Sequence, residues 1–444
     1  MNITNLIIQL QSKINDSTYD QLAVSKSIEL LKTGQVNYVN AYSDLPAASV
    51  SNGYMYYIAG SGLYYSNGTI WNRMVPVENY TYIWSWGCNG YGRLGDNNTT
   101  PSQRSSPVPV GDQSAGWLQV AAGAAHSLAV KQNGTAWAWG RNNYGQLSDN
   151  TCTTRSSPVL VVGGFTDWCQ IAAGTCHSVA VRTNGTAWGW GYNSSGRLGD
   201  NTTVRKSSPV SVVGGITDWC QVAAGHAHSL GVRQNGTAWG WGYNGYGRLG
   251  DNTTTARSSP VSVVGGFTDW CQVSTSNRSC HSLAIRTNGT LWAWGRNNVC
   301  QLGDGSSTHR SSPVSVICGF TDWCQVSAGY EHSLAVRQNG TARAWGCASS
   351  GKLGTTNCSN NYSGPKEICG GFTDWCQVTA GSQHSLGVKQ NGTLWGWGAG
   401  SEGKLGSGDT NNFASPKLVG AGFTDWCQVS TGQYHTLAIR VVLD

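Results

Sequence analysis

Residues 222–251 read "VAAGHAHSLGVRQNGTAWGWGYNGYGRLGD", and the fold depends on how this span is understood. Alone, its two histidines, two arginines, aspartate and glycine-rich tail offer the raw material of a metal site or a phosphate cradle. Set against the whole chain, it is one unit of a repeat. A segment patterned on G-x-x-H-[ST]-[LV]-[AG]-[VI] is anchored by His126, His177, His228, His281, His332, His384 and His435, at separations of 51 to 53 residues. A second signature, W-x-W-G, ends at Gly87, Gly140, Gly191, Gly242, Gly295, Gly346 and Gly398. A fixed period of this length marks a repeat architecture before any single residue marks a site.

The two signatures are out of phase. "YIWSWG" (82–87) has no histidine segment before it, and "HTLAIRVVLD" (435–444) has no W-x-W-G after it. A linear array gains nothing from this offset, whereas in a ring the first strands complete the sheet begun by the last and remove an open edge. Within one repeat four short strands are expected, in residues 209–242 "PVSVV", "DWCQVAA", "HSLGVR" and "TAWGWG". Asn235-Gly236 between the last two predicts a two-residue hairpin of type I′, with positive φ at both positions. The same Asn-Gly pair explains the recurring "NGT" without glycosylation. The expectation is an all-β chain, a seven-bladed β-propeller over 79–444 closed by its offset termini, behind a small N-terminal α-helical plus β-hairpin arm.

The repeat resembles that of the regulator of chromosome condensation family, on the strength of its glycine, histidine, tryptophan and G-[RQK]-L-G elements recurring in order over about residues 80–444. The resemblance implies the propeller fold. It implies function less directly, because one fold hosts several roles. A nucleotide-exchange branch works through a wedge inserted in one blade, for which separations of 51 to 53 leave no room. A photoreceptor branch carries a "GWRHT" motif, which is absent. Twenty of the 21 tryptophans occupy repeat positions, and a tryptophan repeated in every blade reads as core.

Composition narrows the function classes. The chain has 444 residues and a net charge of +6, too mild an excess for a dedicated nucleic-acid binder. No apolar run approaches the length of a membrane-spanning helix. The N-terminus "MNITNLIIQLQSK" lacks the pattern of a secretory signal. Cys169, Cys220, Cys271, Cys324, Cys376 and Cys427 recur in "DWCQ". They lack zinc spacing and read as buried, reduced packing thiols.

Seven equivalent histidines spread around a ring cannot converge on one ion, so they read as structural. The loop aspartates Asp96, Asp149, Asp200, Asp251 and Asp304 lack the closing Glu of a calcium loop. No metal, cofactor or catalytic constellation is expected, and the protein does not read as an enzyme. The candidate binding feature is a basic rim. Arg104, Arg155, Lys206, Arg257 and Arg310 precede S-S-P, joined by Arg93, Arg197 and Arg248 of the G-R-L-G loops. A circle of such charge suits an acidic glycan or an acidic protein.

Residues 1–78 follow other rules. Ile3, Leu6, Ile7, Leu10 and Ile14 trace one helical face, and "TYDQ" (18–21) opens a second helix stopped by Gly34. This gives a helical attachment or oligomerisation arm (1–34) and a β-module (35–78) with turns at Asn52-Gly53 and Asn67-Gly68. The "SDLP…MYY…GLYYSNGT" run resembles N-terminal segments of structural proteins from marine tailed bacteriophages. That resemblance implies a virion protein, tail- or capsid-associated, made in the host cytoplasm. Residues 1–78 would then bind other virion proteins or further copies of the chain, and the propeller would face a host-surface glycan or protein. The alternative is an intracellular adaptor or regulatory propeller that binds a host protein.

Overall fold

Each "DWCQ" segment begins a sheet, and the seven sheets close into one ring. The computed structural model describes residues 36–39, 55–58, 62–66, 71–74 and 80–442 apart from 112–114, 318 and 421. The chain divides into two units, Met1–Tyr80 with Leu443–Asp444, and Thr81–Val442. In the first unit, strands Val36–Val39, Met55–Ile58, Gly62–Ser66 and Trp71–Met74 form one sheet in chain order. The first two are parallel and the rest antiparallel. The Asn52-Gly53 and Asn67-Gly68 turns expected in this module lie outside the described residues. The two helices expected in 1–34 lie outside the described residues.

The second unit is a seven-bladed propeller of four-stranded sheets. Blades 1 to 7 are numbered here by their innermost strands: Trp117–Ala122, Trp168–Ala173, Trp219–Ala224, Trp270–Ser274, Trp323–Ala328, Trp375–Ala380 and Trp426–Thr431. Blade 3 continues outward through His228–Arg233, Ala238–Gly242 and Arg257–Ser262. The outer strand Lys206–Ser211, grouped in sequence with the three strands after it, belongs to blade 2. Blade 7 is the closure, with Trp426–Thr431 and His435–Val442 from the end of the chain and Tyr80–Cys88 and Gln103–Pro109 from its start.

The "NGT" hairpins differ from expectation. Gly134 has φ 74 while Asn133 keeps a negative φ, Gly134 N–H donates to the Lys131 carbonyl at 2.9 Å, and Lys131 N–H donates to the Thr135 carbonyl at 2.9 Å. The loop is thus three residues, a type I turn followed by a left-handed glycine. Asn133 Oδ1 accepts from the Thr135 N–H at 3.1 Å and hydroxyl at 2.7 Å, so this asparagine closes an Asx turn rather than supplying a second positive φ.

Tryptophan fills the seams between blades. Trp86, Trp139, Trp190, Trp241, Trp294, Trp345 and Trp397 are fully buried, and Trp168 meets Trp190 edge to face at 5.9 Å, a favoured aromatic geometry. The seven histidines zip the blades together. Nε2 of His126 meets Ser178 Oγ of the next blade at 3.1 Å, and the pattern continues from His177 to Ser229, His228 to Ser282, His281 to Ser333, His332 to Ser385 and His384 to Thr436. His435 meets Ser127 at 2.9 Å and completes the circle. Each hydroxyl donates onward to a loop carbonyl, as Ser127 does to Arg93 at 2.7 Å. That carbonyl also accepts from Trp139 Nε1 at 2.9 Å. Because the hydroxyl proton is already used, the histidine must donate from Nε2.

The innermost strands expose an unpaired edge to the axis, and glutamine covers it. Oε1 of Gln119, Gln170, Gln221, Gln272, Gln325, Gln377 and Gln428 each accepts from a backbone N–H of the following blade at 2.7 to 3.1 Å. This girdle satisfies edge donors that would otherwise template aggregation. It lines a polar axial channel of about 230 Å³. The adjacent cysteines are not buried packing groups. Register slips between Trp168 and Gln170, leaving Cys169 as the extra residue of a β-bulge. Cys169, Cys220, Cys271, Cys324, Cys376 and Cys427 are exposed free thiols. Desolvation still raises the pKa of Cys169, Cys220 and Cys271, with a neighbouring aspartate adding to it, which disfavours thiolates.

Candidate protein-docking face

Two kinds of connection meet at one end of the propeller, the short G-x-x-H links and the long loops carrying G-[RQK]-L-G. In the long loops aspartate is a hub. Asp149 Oδ1 accepts from Asn142 Nδ2 at 2.9 Å, Thr151 N–H at 3.0 Å and Thr151 Oγ1 at 2.7 Å. Asp149 Oδ2 accepts from Arg155 at 2.9 Å. These bonds hold the Asp149 carboxyl below its ordinary pKa against the opposing effect of burial. The same ion pair joins Arg104 to Asp96 at 2.9 Å, Lys206 to Asp200 at 3.9 Å, Arg257 to Asp251 at 3.3 Å and Arg310 to Asp304 at 2.9 Å.

The basic rim expected from sequence therefore separates into two sets. The five residues before S-S-P are loop fasteners, each neutralised by the aspartate of its own loop. Arg93, Arg197 and Arg248 lie deeper, at 4%, 6% and 1% exposure. Arg93 Nη1 donates to the Ala124 carbonyl at 3.1 Å, and Arg197 Nη1 to the His226 carbonyl at 3.2 Å. Burial lowers the pKa of all three, but from so high a starting value that they stay charged at neutral pH.

Tyrosines sheathe these guanidinium groups. Tyr91 lies 5.4 Å from Arg93 and 5.3 Å from Arg141. Tyr192 lies 4.8 Å from Arg197, and Tyr144 packs on Tyr192 at 4.5 Å. Arg248 sits 4.8 Å from Tyr243 and 5.4 Å from Tyr246, and Arg296 bridges Tyr246 and Tyr330 at 5.9 and 6.0 Å. Tyr91, Tyr243 and Tyr246 are exposed at 40%, 44% and 39%. The outcome is a face paved with alternating arginine and tyrosine, the residue types that dominate protein-binding hot spots.

Sequence reading missed Arg141 and Arg296, which follow W-x-W-G in only two of the seven blades, and Arg278, which has no basic equivalent in any other blade. It also missed how the channel is closed. The connection in blade 4 is two residues longer than its neighbours, and Arg278 stands where the other links have glycine. Asn277 is buried and donates from Nδ2 to the carbonyls of Ala122 at 3.3 Å and Thr431 at 3.5 Å, in blades 1 and 7. Its own carbonyl accepts from Thr175 Oγ1 of blade 2, and Ser279 O accepts from His226 N–H at 3.3 Å. This loop is a plug across the axial channel. Among the described residues, no group of three or more His, Cys, Asp or Glu side chains is placed to hold a metal ion. Nor is any helix there long and apolar enough to cross a membrane.

The comparisons with known proteins agree with this architecture. The RCC1-like domain model matches residues 73–386, and the regulator of chromosome condensation (RCC1) repeat matches 391–439. The Ultraviolet-B receptor UVR8 of Arabidopsis thaliana is 29% identical over 351 residues, covering 76% of this chain and 78% of the receptor. The human E3 ubiquitin-protein ligase HERC2 is 26% identical over 376 residues, 82% of this chain but only 8% of the ligase. Among solved structures, Prp20p from Saccharomyces cerevisiae superposes with a TM-score of 0.74 at 21% identity, covering 83% of this chain and 93% of that one. Human WBSCR16 gives 0.72 at 20% identity, covering 82% and 100%.

These relatives overturn the expectation of a bacteriophage virion protein and of a virion location, since the matched proteins are cellular RCC1-like regulators. The virion partners and the host-surface glycan fall with it. The phage resemblance rested on residues 1–78, and the family match spans the repeats that build the ring. By its repeats and its closed seven-bladed fold, the chain belongs to the RCC1-like domain family.

Proposed function

We propose that this protein is an intracellular adaptor or regulatory propeller whose arginine and tyrosine face docks a partner protein. The observation that carries the reading is the set of tyrosine-sheathed arginines at the loop end, held in place by neighbouring blades. Preorganised side chains lose little entropy on binding. The RCC1-like relatives support a binding role: the same fold in yeast Prp20p has binding properties toward Gsp1p and histones. The chain spans a small part of HERC2, and no ligase activity is proposed for it.

The test is cross-linking mass spectrometry in cells, comparing the wild type with Arg141→Glu/Arg296→Glu on this face and with Gln132→Glu/Gln234→Glu on the opposite turns. A partner that cross-links to the loop end, disappears with the first variant and persists with the second is the expected result. Loss confined to the turn-face variant, or no loop-end cross-links at all, would refute the reading.

A further inference from the structure

The positive charge of the loop end is unevenly neutralised. Glu331 pairs with Arg296 at 3.6 Å and with Lys352 at 3.9 Å. Glu402 partly offsets the effect of burial on Arg93 and Lys404. Both carboxylates serve the flank formed by blades 4 to 7. By contrast, among the described residues, Arg197 and Arg248 in the loops of blades 2 and 3 and Arg278 in the plug form no ion pair. They lie close enough together that burial and their combined charge push His226 down to about 4. Two atoms of Arg248, Nε and Nη1, are buried without a hydrogen-bond partner, a costly state for a charged group.

Arg278 projects from the plug and is only partly buried. With its oxygen turned toward the arginine, the Gln433 amide accepts from Nε at 3.2 Å and Nη2 at 3.1 Å. Tyr330 lies 5.8 Å from the guanidinium. The side chain is therefore held from blades 5 and 7, while the flanking Asn277 and Ser279 bond to blades 1, 2, 3 and 7. No other blade has an equivalent residue.

We propose that Arg278 is the anchor for a carboxylate-rich segment of a partner protein, which lies from the plug across Arg197 and Arg248. The proposal rests on the docking reading above and names the partner's chemistry and its point of attachment. Fixed guanidinium groups in a partly dehydrated setting pair well with carboxylates. Nucleic acid fits the face less well, because single-stranded binding relies on aromatic faces free to stack on bases. Here Tyr192, Tyr243, Tyr246 and Tyr330 already face arginines.

The test uses the full chain and fluorescence anisotropy with three labelled probes, a short Glu/Ser peptide, its Gln/Ser counterpart and a single-stranded oligonucleotide. The acidic peptide should bind in a salt-dependent way and the Gln/Ser peptide should not. Arg278→Ala should weaken binding roughly tenfold, the size of a moderate hot-spot loss. Arg278→Gln, whose amide can still meet Gln433, should show the same loss with the plug intact, as judged by hydrogen exchange at 275–280. Arg104→Ala, on the neutralised outer loops, should change nothing. Tighter binding of the oligonucleotide, or acidic-peptide binding indifferent to both Arg278 variants, would overturn the proposal. Cellular loop-end cross-links that survive Arg278→Gln would remove the anchor and leave the docking reading standing.

Discussion

The glycine of G-x-x-H illustrates how a repeated residue can be fixed by space instead of by backbone conformation. A Cβ built on Gly123 would stand 2.5 Å from His126 Cε1 and 2.8 Å from the Gly174 carbonyl, and Gly174 meets the His177 ring in the same way. Neither residue has a positive φ. The glycine leaves room for the imidazole to lie against the backbone and reach the next blade. Gly266 is the opposite case, with φ 68 and nothing near its Cβ position. Gly174→Ala is therefore expected to lower stability by about 1 to 3 kcal/mol, the usual penalty for overpacking. Gly266→Asn should change it by less than about 0.5 kcal/mol, since asparagine tolerates the left-handed region. Urea denaturation of the two variants checks both values. Equal losses would mean that conformation, not the imidazole, selects the glycine.

Among the elements, strands were easier to read from sequence than connections. "DWCQVAA", "HSLGVR" and "TAWGWG" sit where the repeat and its Asn-Gly hairpin put them. The Asn-Gly turn was misjudged because a type I′ turn and a type I turn followed by a left-handed glycine share the same dipeptide, and only the cross-strand register separates them. The plug was hidden for a related reason. A surplus of two residues before His281 looks like tolerated loop variation, and its partners Ala122, Thr175 and Thr431 are remote in sequence. Replacing residues 276–280 with the shorter Gly-His-Ala link of blade 3 tests what the plug does. The ring should still fold, because every inter-blade histidine bond is untouched. Hydrogen exchange should quicken in the innermost strands Trp117–Ala122 and Trp426–Thr431 and stay unchanged in the outer strands. Faster exchange throughout would show that the plug holds the ring together, and no change would show that it carries no load.

In the whole molecule, the offset of the two signatures announced the ring closure, because one end of the chain visibly lacks what the other supplies. The docking face was less legible. A basic residue before S-S-P looks free until folding brings the aspartate of its own loop against it, and Arg278, which remains without an ion pair, does not repeat. Ring closure also sets the protein's response to acid. His126 and His281 are pushed down to about 3, and His177, His228, His332, His384 and His435 are held well below the ordinary 6.5 by burial and nearby positive charge. Once unfolded, each regains an ordinary pKa near 6.5 and binds a proton that the folded ring refuses. Stability contributed by these groups is thus complete above about pH 6.5 and is lost as pH falls toward the folded values. With seven protons at stake, the slope approaches about 9 kcal/mol per pH unit once the unfolded histidines are fully charged. Domain stabilities are commonly about 5 to 15 kcal/mol, so the propeller should unfold cooperatively near pH 5, before its paired carboxylates titrate. Circular dichroism against pH would show this, and His281→Gln should make the transition shallower by about one proton. A ring that keeps its native signal at pH 4 would mean that protonated imidazoles are accommodated in the seams after all.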